Sequence, residues 1–278
     1  MERLAQPSRF LQRKLFEVNL LKPVTVEKEA PIGEIRRILR DTGSRIVLVV
    51  NGEGRLEGVI YRSSVILVTS RKSEAKALDI MEEPAVVLKP SYSLEEAVFS
   101  MLKFDEWYAP VVNDANRLVG VLGLETPIRL LLEAGFYRGY TASDAMTRDV
   151  EYVLEGDSLT RVWEIMVERR YAGVPVVDQR MVVRGIVTQY DLIRKGYTRL
   201  GLESEAPPHR VRVESVMTRS VIYVAESDNL EDVARIMLDR GVGRVPVVKS
   251  RDSRVLTGII DREDLVRLYF KSRGRASL

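Results

Sequence analysis

The sequence predicts an α+β fold made of four copies of one βαββα unit. Three observations carry this. A glycine-led apolar run that breaks into polar residues occurs four times, as GVIYRSS (58–64), GVLGLET (120–126), GIVTQYD (185–191) and GIIDRED (258–264). Before each stands a second apolar run and a polar turn: LVVNGEGRLEG, PVVNDANRLVG, PVVDQRMVVRG and PVVKSRDSRVLTG. Earlier still, apolar residues recur with helical spacing. The leading glycines lie 62, 65 and 73 residues apart, which is the signature of an internal repeat.

Two β-prone runs joined by a few turn residues read as a β-hairpin. The helix ahead of it presents Ile32, Ile35 and Leu39 in the first copy, and Leu94, Ala97, Val98 and Met101 in the second. The third copy has Leu159, Val162, Trp163 and Met166, and the fourth has Leu230, Val233, Ala234 and Met237. The spacing i, i+3, i+4, i+7 is one apolar helix face, so these residues are core. Ser93, Ser158 and Asp228 are the expected N-caps, because a short polar side chain can accept from the first free N–H groups. A short strand is expected before each helix, at Val24–Val26, Val86–Leu88, Val150–Val153 and Val221–Val224.

A unit of this size buries a marginal core by itself. Its small sheet has a face to cover, so the repeats are expected to pair sheet against sheet. Four repeats then give two modules, Met1–Arg138 and Gly139–Leu278, divided at the glycine-bearing stretch GFYRGYT (135–141).

Composition excludes several functions. The chain of 278 residues has no cysteine and one histidine, His209, which sits in the proline-bent stretch APPHR and reads as a solvated loop residue. That leaves little for a thiolate, a zinc site or a histidine-based triad, and no metal or catalytic residue is expected. Neither GxGxxG nor GxxxxGK[ST] is present. No apolar run approaches the roughly 18 residues of a membrane span, and the N-terminus lacks the apolar core of a secretory signal. A cytoplasmic, non-enzymatic protein is the expectation. The net charge of +3 comes from interspersed signs, a weak argument for nucleic acid. The tail Lys271-Ser272-Arg273-Gly274-Arg275 reads as a short solvated basic end.

The βαββα unit, the openings DAMTRDV and SVMTRSV, the hairpins AGVPVVD and VGRVPVV and the closings GIVTQYD and GIIDRED resemble the CBS domain, two of which form a Bateman module. The resemblance spans about residues 14–72, 76–136, 141–198 and 211–271. It is strong for the last two repeats and rests mainly on spacing in the first two. Four repeats in one chain are similar to the gamma subunit of AMP-activated protein kinase and to archaeal four-repeat proteins. The resemblance implies two modules, in a pseudo-fourfold disc where the family builds one, and no catalysis. It also implies a regulatory adenosyl ligand, namely AMP, ADP, ATP or S-adenosylmethionine, with methylthioadenosine as a further candidate. An unidentified protein target and a homodimer are the other partners it suggests.

The resemblance also implies the ligand contacts, and physical chemistry accounts for each. A carboxylate accepts two hydrogen bonds at once and suits a ribose diol, which points to Asp191 and, more weakly, Asp264. Thr188, one turn earlier at a helix start, suits a phosphate. The ribose position reads Ser64, Thr126, Asp191 and Asp264 along the four repeats, and the hydroxyl position reads Tyr61, Gly123, Thr188 and Asp261. Ala172 and Gly173 are small enough for adenine to lie against the backbone together with Val150, whereas Trp107 fills the matching space in the second repeat. By family analogy Arg244 reaches a phosphate. Asp261 is the departure, since a carboxylate repels a phosphate. Two rivals stand beside this reading: an assembly module with vestigial sites, and a nucleic-acid binder resting on the basic tail.

Overall fold

The computed structural model describes residues 11–67, 74–197 and 211–275, so His209 lies outside the described residues. The first repeat holds β1 (Thr25–Val26), α1 (Ile32–Thr42), β2 (Ile46–Val50), β3 (Leu56–Tyr61) and α2 (Arg62–Leu67). The second holds α3 (Ala77–Ile80), α4 (Leu94–Lys103), β4 (Tyr108–Val112), β5 (Leu118–Gly123) and α5 (Glu125–Glu133). The third holds α6 (Ala142–Ala145), β6 (Val153–Leu154), α7 (Leu159–Glu168), β7 (Gly173–Val177), β8 (Val183–Thr188) and α8 (Gln189–Lys195). The fourth holds α9 (Val213–Val216), β9 (Val224–Ala225), α10 (Leu230–Asp239), β10 (Arg244–Val248), β11 (Leu256–Asp261) and α11 (Arg262–Ser272).

Every apolar position assigned to a helix face is buried, from Ile32, Ile35 and Leu39 to Leu230, Val233, Ala234 and Met237. Each is worth on the order of 1.5–3 kcal/mol when it is a Val, Leu, Ile, Phe or Met fully withdrawn from water. Ser93 and Ser158 cap α4 and α7 as expected. Asp228 does not cap α10. Asn229 stands at that position, while Asp228 accepts from the Ala225 N–H and pairs with Arg251.

The four hairpins share one register. Gly173 faces Thr188, Arg244 faces Asp261, Ile46 faces Tyr61 and Tyr108 faces Gly123, with one irregularity near the turn in each. The turns are built alike. The side chains of Asn51, Asn113 and Asp178 each accept two backbone N–H groups of the turn. Gly54, Asn116, Met181 and Arg254 then take a left-handed backbone conformation. The leading short strands begin later than the sequence suggests, because only Thr25–Val26, Val153–Leu154 and Val224–Ala225 pair in parallel with their hairpins. Val86–Leu88 is not a strand; Leu88 makes a single bridge to Val111.

The glycines that announce the repeat have a packing reason. A methyl group at Gly185 would lie 2.8 Å from Met217 Sδ, and one at Gly258 would lie 2.6 Å from Met146 Sδ. Gly58 meets Met81 and Gly120 meets Leu20 in the same way. These apolar residues belong to the segment that precedes a repeat, and each rests on the neighbouring repeat's hairpin. Leu21 bridges to Val121, Glu82 to Val59, Thr147 to Ile259 and Thr218 to Ile186, so the first repeat trades leaders with the second, and the third with the fourth.

The chain divides into two compact units, each joining two non-consecutive repeats. One consists of residues 1–23, 84–150 and 222–278, and the other of 24–83 and 151–221. The units therefore do not follow the consecutive halves Met1–Arg138 and Gly139–Leu278: each leader stays behind when the chain enters the repeat it introduces. Within a unit the repeats meet through helices, and strand residues of both repeats share one apolar core. In the second unit α8 packs on α1 and α2, and in the first α5 packs on α10 and α11. Each unit has its own apolar core.

The basic tail is exposed, as expected, and two of its arginines are also tethered. Arg273 donates to the Tyr269 hydroxyl, and Arg275 pairs with the buried Glu95 and lies over the ring of Phe99. Glu95 also accepts from Gln12.

Candidate functional site

In the second unit the third repeat gathers its polar groups at one corner, where β8 turns into α8. Gly173 sits across from Thr188, and a side chain at 173 would press within 3.2 Å of the Thr188 methyl. The Gln189 N–H donates to the Ala172 carbonyl at 2.9 Å, closing the hairpin end over the start of the helix. Thr188 has extended backbone angles and caps α8. Its hydroxyl accepts from the Asp191 N–H at 3.1 Å and donates to Asp191 Oδ2 at 2.6 Å. The Thr188 N–H donates to the same oxygen at 2.9 Å, which completes a reciprocal cap.

Asp191 is 5% exposed, so it lies inside the corner and not at a cleft rim. Its other oxygen, Oδ1, accepts from the Thr218 hydroxyl at 3.0 Å. The nearest cation, Arg194, stands 3.8 Å away and is half exposed, too loose to neutralise the carboxylate firmly. The carboxylate is thus stabilised by hydroxyl and N–H donors. Thr218 was not assigned a role from sequence, although it is the threonine of SVMTRSV. On the solvent side, Tyr190 donates to the Arg40 carbonyl, and the Arg62 guanidinium lies 5.0 Å from the Tyr190 ring centroid.

The first unit contains the matching corner of the fourth repeat, with different chemistry. Asp264 Oδ2 accepts from the Asp261 N–H at 2.8 Å, and Oδ1 accepts from the Thr147 hydroxyl at 3.3 Å. Asp261 accepts in turn from the N–H groups of Glu263 and Asp264. Arg244 does not point to an open position: its Nη2 pairs with Asp261 Oδ2 at 3.2 Å. Burial pushes the Asp264 carboxyl up to about 8, with the charge of Asp261 adding to it. Burial likewise raises Glu263 to about 7, with the charges of Asp105 and Asp261 adding, although Arg267 opposes.

The remaining two repeats lack this carboxylate. Ser64 donates to Glu82, and Glu82 stands where Thr147 and Thr218 stand in their leaders. At Gly123 any added side chain would collide with Glu125 and Tyr108. Arg262, 5% exposed, donates to the Tyr108 hydroxyl at 2.6 Å and to Glu125 Oε2 at 3.0 Å, a buried polar network with no counterpart in the repeat pattern. The seven residues expected to bind ligand fall into two groups: Ala172, Gly173, Thr188 and Asp191 in the second unit, and Val150, Arg244 and Asp264 in the first. Among the described residues no cluster suits a metal ion, and no helix is long and apolar enough to cross a membrane.

Comparison with known proteins agrees with this architecture. An uncharacterized protein of Methanocaldococcus jannaschii, MJ1225, is 31% identical over 196 residues, covering 69% of each chain. Its crystal structure, described as a proposed archaeal homolog of g-AMPK, superposes with a TM-score of 0.80 at 27% identity, over 91% of this chain and 98% of that one. A conserved uncharacterized protein of Pyrococcus horikoshii shares the fold, with a TM-score of 0.63 at 24% identity, over 92% of this chain and all of that one. The CBS domain profile matches four times, at residues 17–70, 77–133, 142–197 and 213–271, and the chain belongs to the CBS domain family.

Proposed function

We propose that this is a regulatory protein and not an enzyme, which takes an adenosyl ligand at the third-repeat corner and passes its occupancy to a protein target. One observation carries the reading. Asp191 is a buried carboxylate whose direct partners are two threonine hydroxyls and backbone N–H, with a cation only at 3.8 Å. A ribose 2′,3′-diol offers two hydroxyl donors of the same kind, so it replaces Thr188 and Thr218 like for like with little electrostatic cost. Adenine then lies against Ala172 and Gly173, where a side chain would not fit, and Thr188 turns its released hydroxyl to a phosphate. Val150, Arg244 and Asp264 belong to the first unit and are no part of this corner; they are a second, weaker proposal, open to ligand only where Asp261 does not pair with Arg244. AMP, ADP and ATP fit this arrangement, with energy sensing in the cytoplasm as the implied role. S-adenosylmethionine and methylthioadenosine offer the same diol.

Displacing Thr218 would loosen a leader segment from its hairpin, and that is the change a partner could read. A different reading draws on the completeness of the Thr188–Asp191 cap, which suits a corner kept for structure alone. Calorimetric titration of the full chain with AMP, ADP, ATP, S-adenosylmethionine and methylthioadenosine separates them. Saturable binding at one site per chain, weakened at least tenfold in a folded Asp191→Ala variant, is the expected result. No heat with any of the five leaves the structural reading.

A further inference from the structure

The fourth-repeat corner differs from the third by carrying its own anion. Arg244 and Asp261 face each other across the mouth of the β10–β11 hairpin, with side chains 13% and 18% exposed. Asp261 receives the Arg244 guanidinium at 3.2 Å on one oxygen and the N–H groups of Glu263 and Asp264 on the other, at 2.9 and 3.1 Å. A guanidinium together with the first free N–H groups of an eleven-residue helix is a donor set that a phosphate monoester draws on. The Trp107 ring centroid lies 5.9 Å from that guanidinium, and its indole N–H donates to Glu263 at 3.3 Å. At the third-repeat corner the corresponding hairpin residues are Gly173 and Thr188, small and uncharged.

We propose that Asp261 is a built-in substitute for a ligand's anion, with Trp107 beside it as the aromatic member. The fourth-repeat corner is thereby closed by the chain itself. The chain answers ligand at one corner and keeps the other as a fixed brace. That count of one responsive corner rests on the reading of Asp191 above; the self-occupation does not.

Asp261→Asn is the informative variant, because asparagine still caps a helix while the Arg244–Asp261 ion pair is lost. Thermal unfolding is followed in chloride and in inorganic phosphate at equal ionic strength. Phosphate should raise the midpoint of Asp261→Asn well beyond that of the wild type. The gain should vanish in Asp261→Asn with Arg244→Gln. AMP titration should then count one more site in Asp261→Asn than in the wild type. A folded Asp261→Asn that answers phosphate no more than the wild type overturns the proposal, as does an equal response in the double variant. Asp261→Ser serves if the asparagine variant does not fold. Should the wild type bind no adenosyl ligand, the function proposed above fails, while the phosphate response of Asp261→Asn still decides this inference.

Discussion

Thr218 donates its hydroxyl to Oδ1 of Asp191 at 3.0 Å, although 27 residues separate them and they belong to different repeats. The bond exists because the leader of the fourth repeat remains against the hairpin of the third. Thr147 repeats the arrangement on Asp264, 117 residues away. A carboxylate at each corner is therefore linked to the leader of another repeat. In the function proposed above, ligand and leader compete for one oxygen atom.

If a ligand diol must displace Thr218, removing that hydroxyl should help the ligand and harm the fold. Thr218→Val loses one hydrogen bond, worth about 0.5–1.5 kcal/mol of stability. The same amount no longer opposes binding, so AMP affinity should rise about fivefold. Asp191→Ala should do the reverse to affinity, lowering it about ten- to a hundredfold. Calorimetry on both variants checks this, and equal losses in the two would rule out competition for the carboxylate.

Gly185 should tolerate no side chain. An added methyl meets Met217 Sδ at 2.8 Å and the Thr218 carbonyl at 2.9 Å, and the carbonyl cannot swing aside as a side chain can. Gly185→Ala is expected to cost about 1–3 kcal/mol through overpacking. Gly52→Ala, with nothing within 4 Å, is the matched control and should be near neutral. Urea unfolding of the two reads the difference.

Much of this was legible in the sequence, and the reason is periodicity. The helix faces, the hairpins and their matched register follow from apolar spacing alone, and the Thr188–Asp191 pair stands out because both lie in one motif. The leader exchange was not legible. Met217 and Thr218 read as the opening of the fourth repeat, yet they pack on the third, and no local pattern says which hairpin a segment will cover. The Arg244–Asp261 pair was hidden differently: each residue looked like a ligand contact or a departure until the hairpin register set them face to face. The pairing of Arg262 with Tyr108 and Glu125 joins residues more than a hundred positions apart and breaks the repeat, so periodicity is silent about it.

Met181 holds φ at 62° in the third hairpin turn, where the first repeat uses Gly54 and the second Asn116. An unbranched side chain pays roughly 1–2 kcal/mol for that left-handed conformation, and asparagine adopts it more readily. Met181→Asn should therefore raise the thermal midpoint without affecting ligand affinity. A lower midpoint would show that the methionine side chain contributes more by packing than its backbone loses.

The first unit should grow less stable as pH rises, opposite to the usual behaviour of paired carboxylates. Burial raises Asp264 to about 8 and Glu263 to about 7, so the folded chain holds these protons more tightly than the unfolded chain, where both titrate in the ordinary carboxylate range near 4. Between those limits the folded state binds more protons, and stability falls with increasing pH. The contribution is fully present below about pH 4 and is lost as pH passes through 7 to 8. Asp264→Asn removes the charge and keeps one acceptor oxygen for the Asp261 N–H, while its amide nitrogen faces the Thr147 hydroxyl, which can turn to accept. It should flatten the decline above pH 6 and leave the part due to Glu263. Unfolding midpoints of the wild type and the variant from pH 5 to 9 provide the comparison. The wild type should lose stability relative to Asp264→Asn across this window, and a constant difference between the two would mean that Asp264 stays charged throughout.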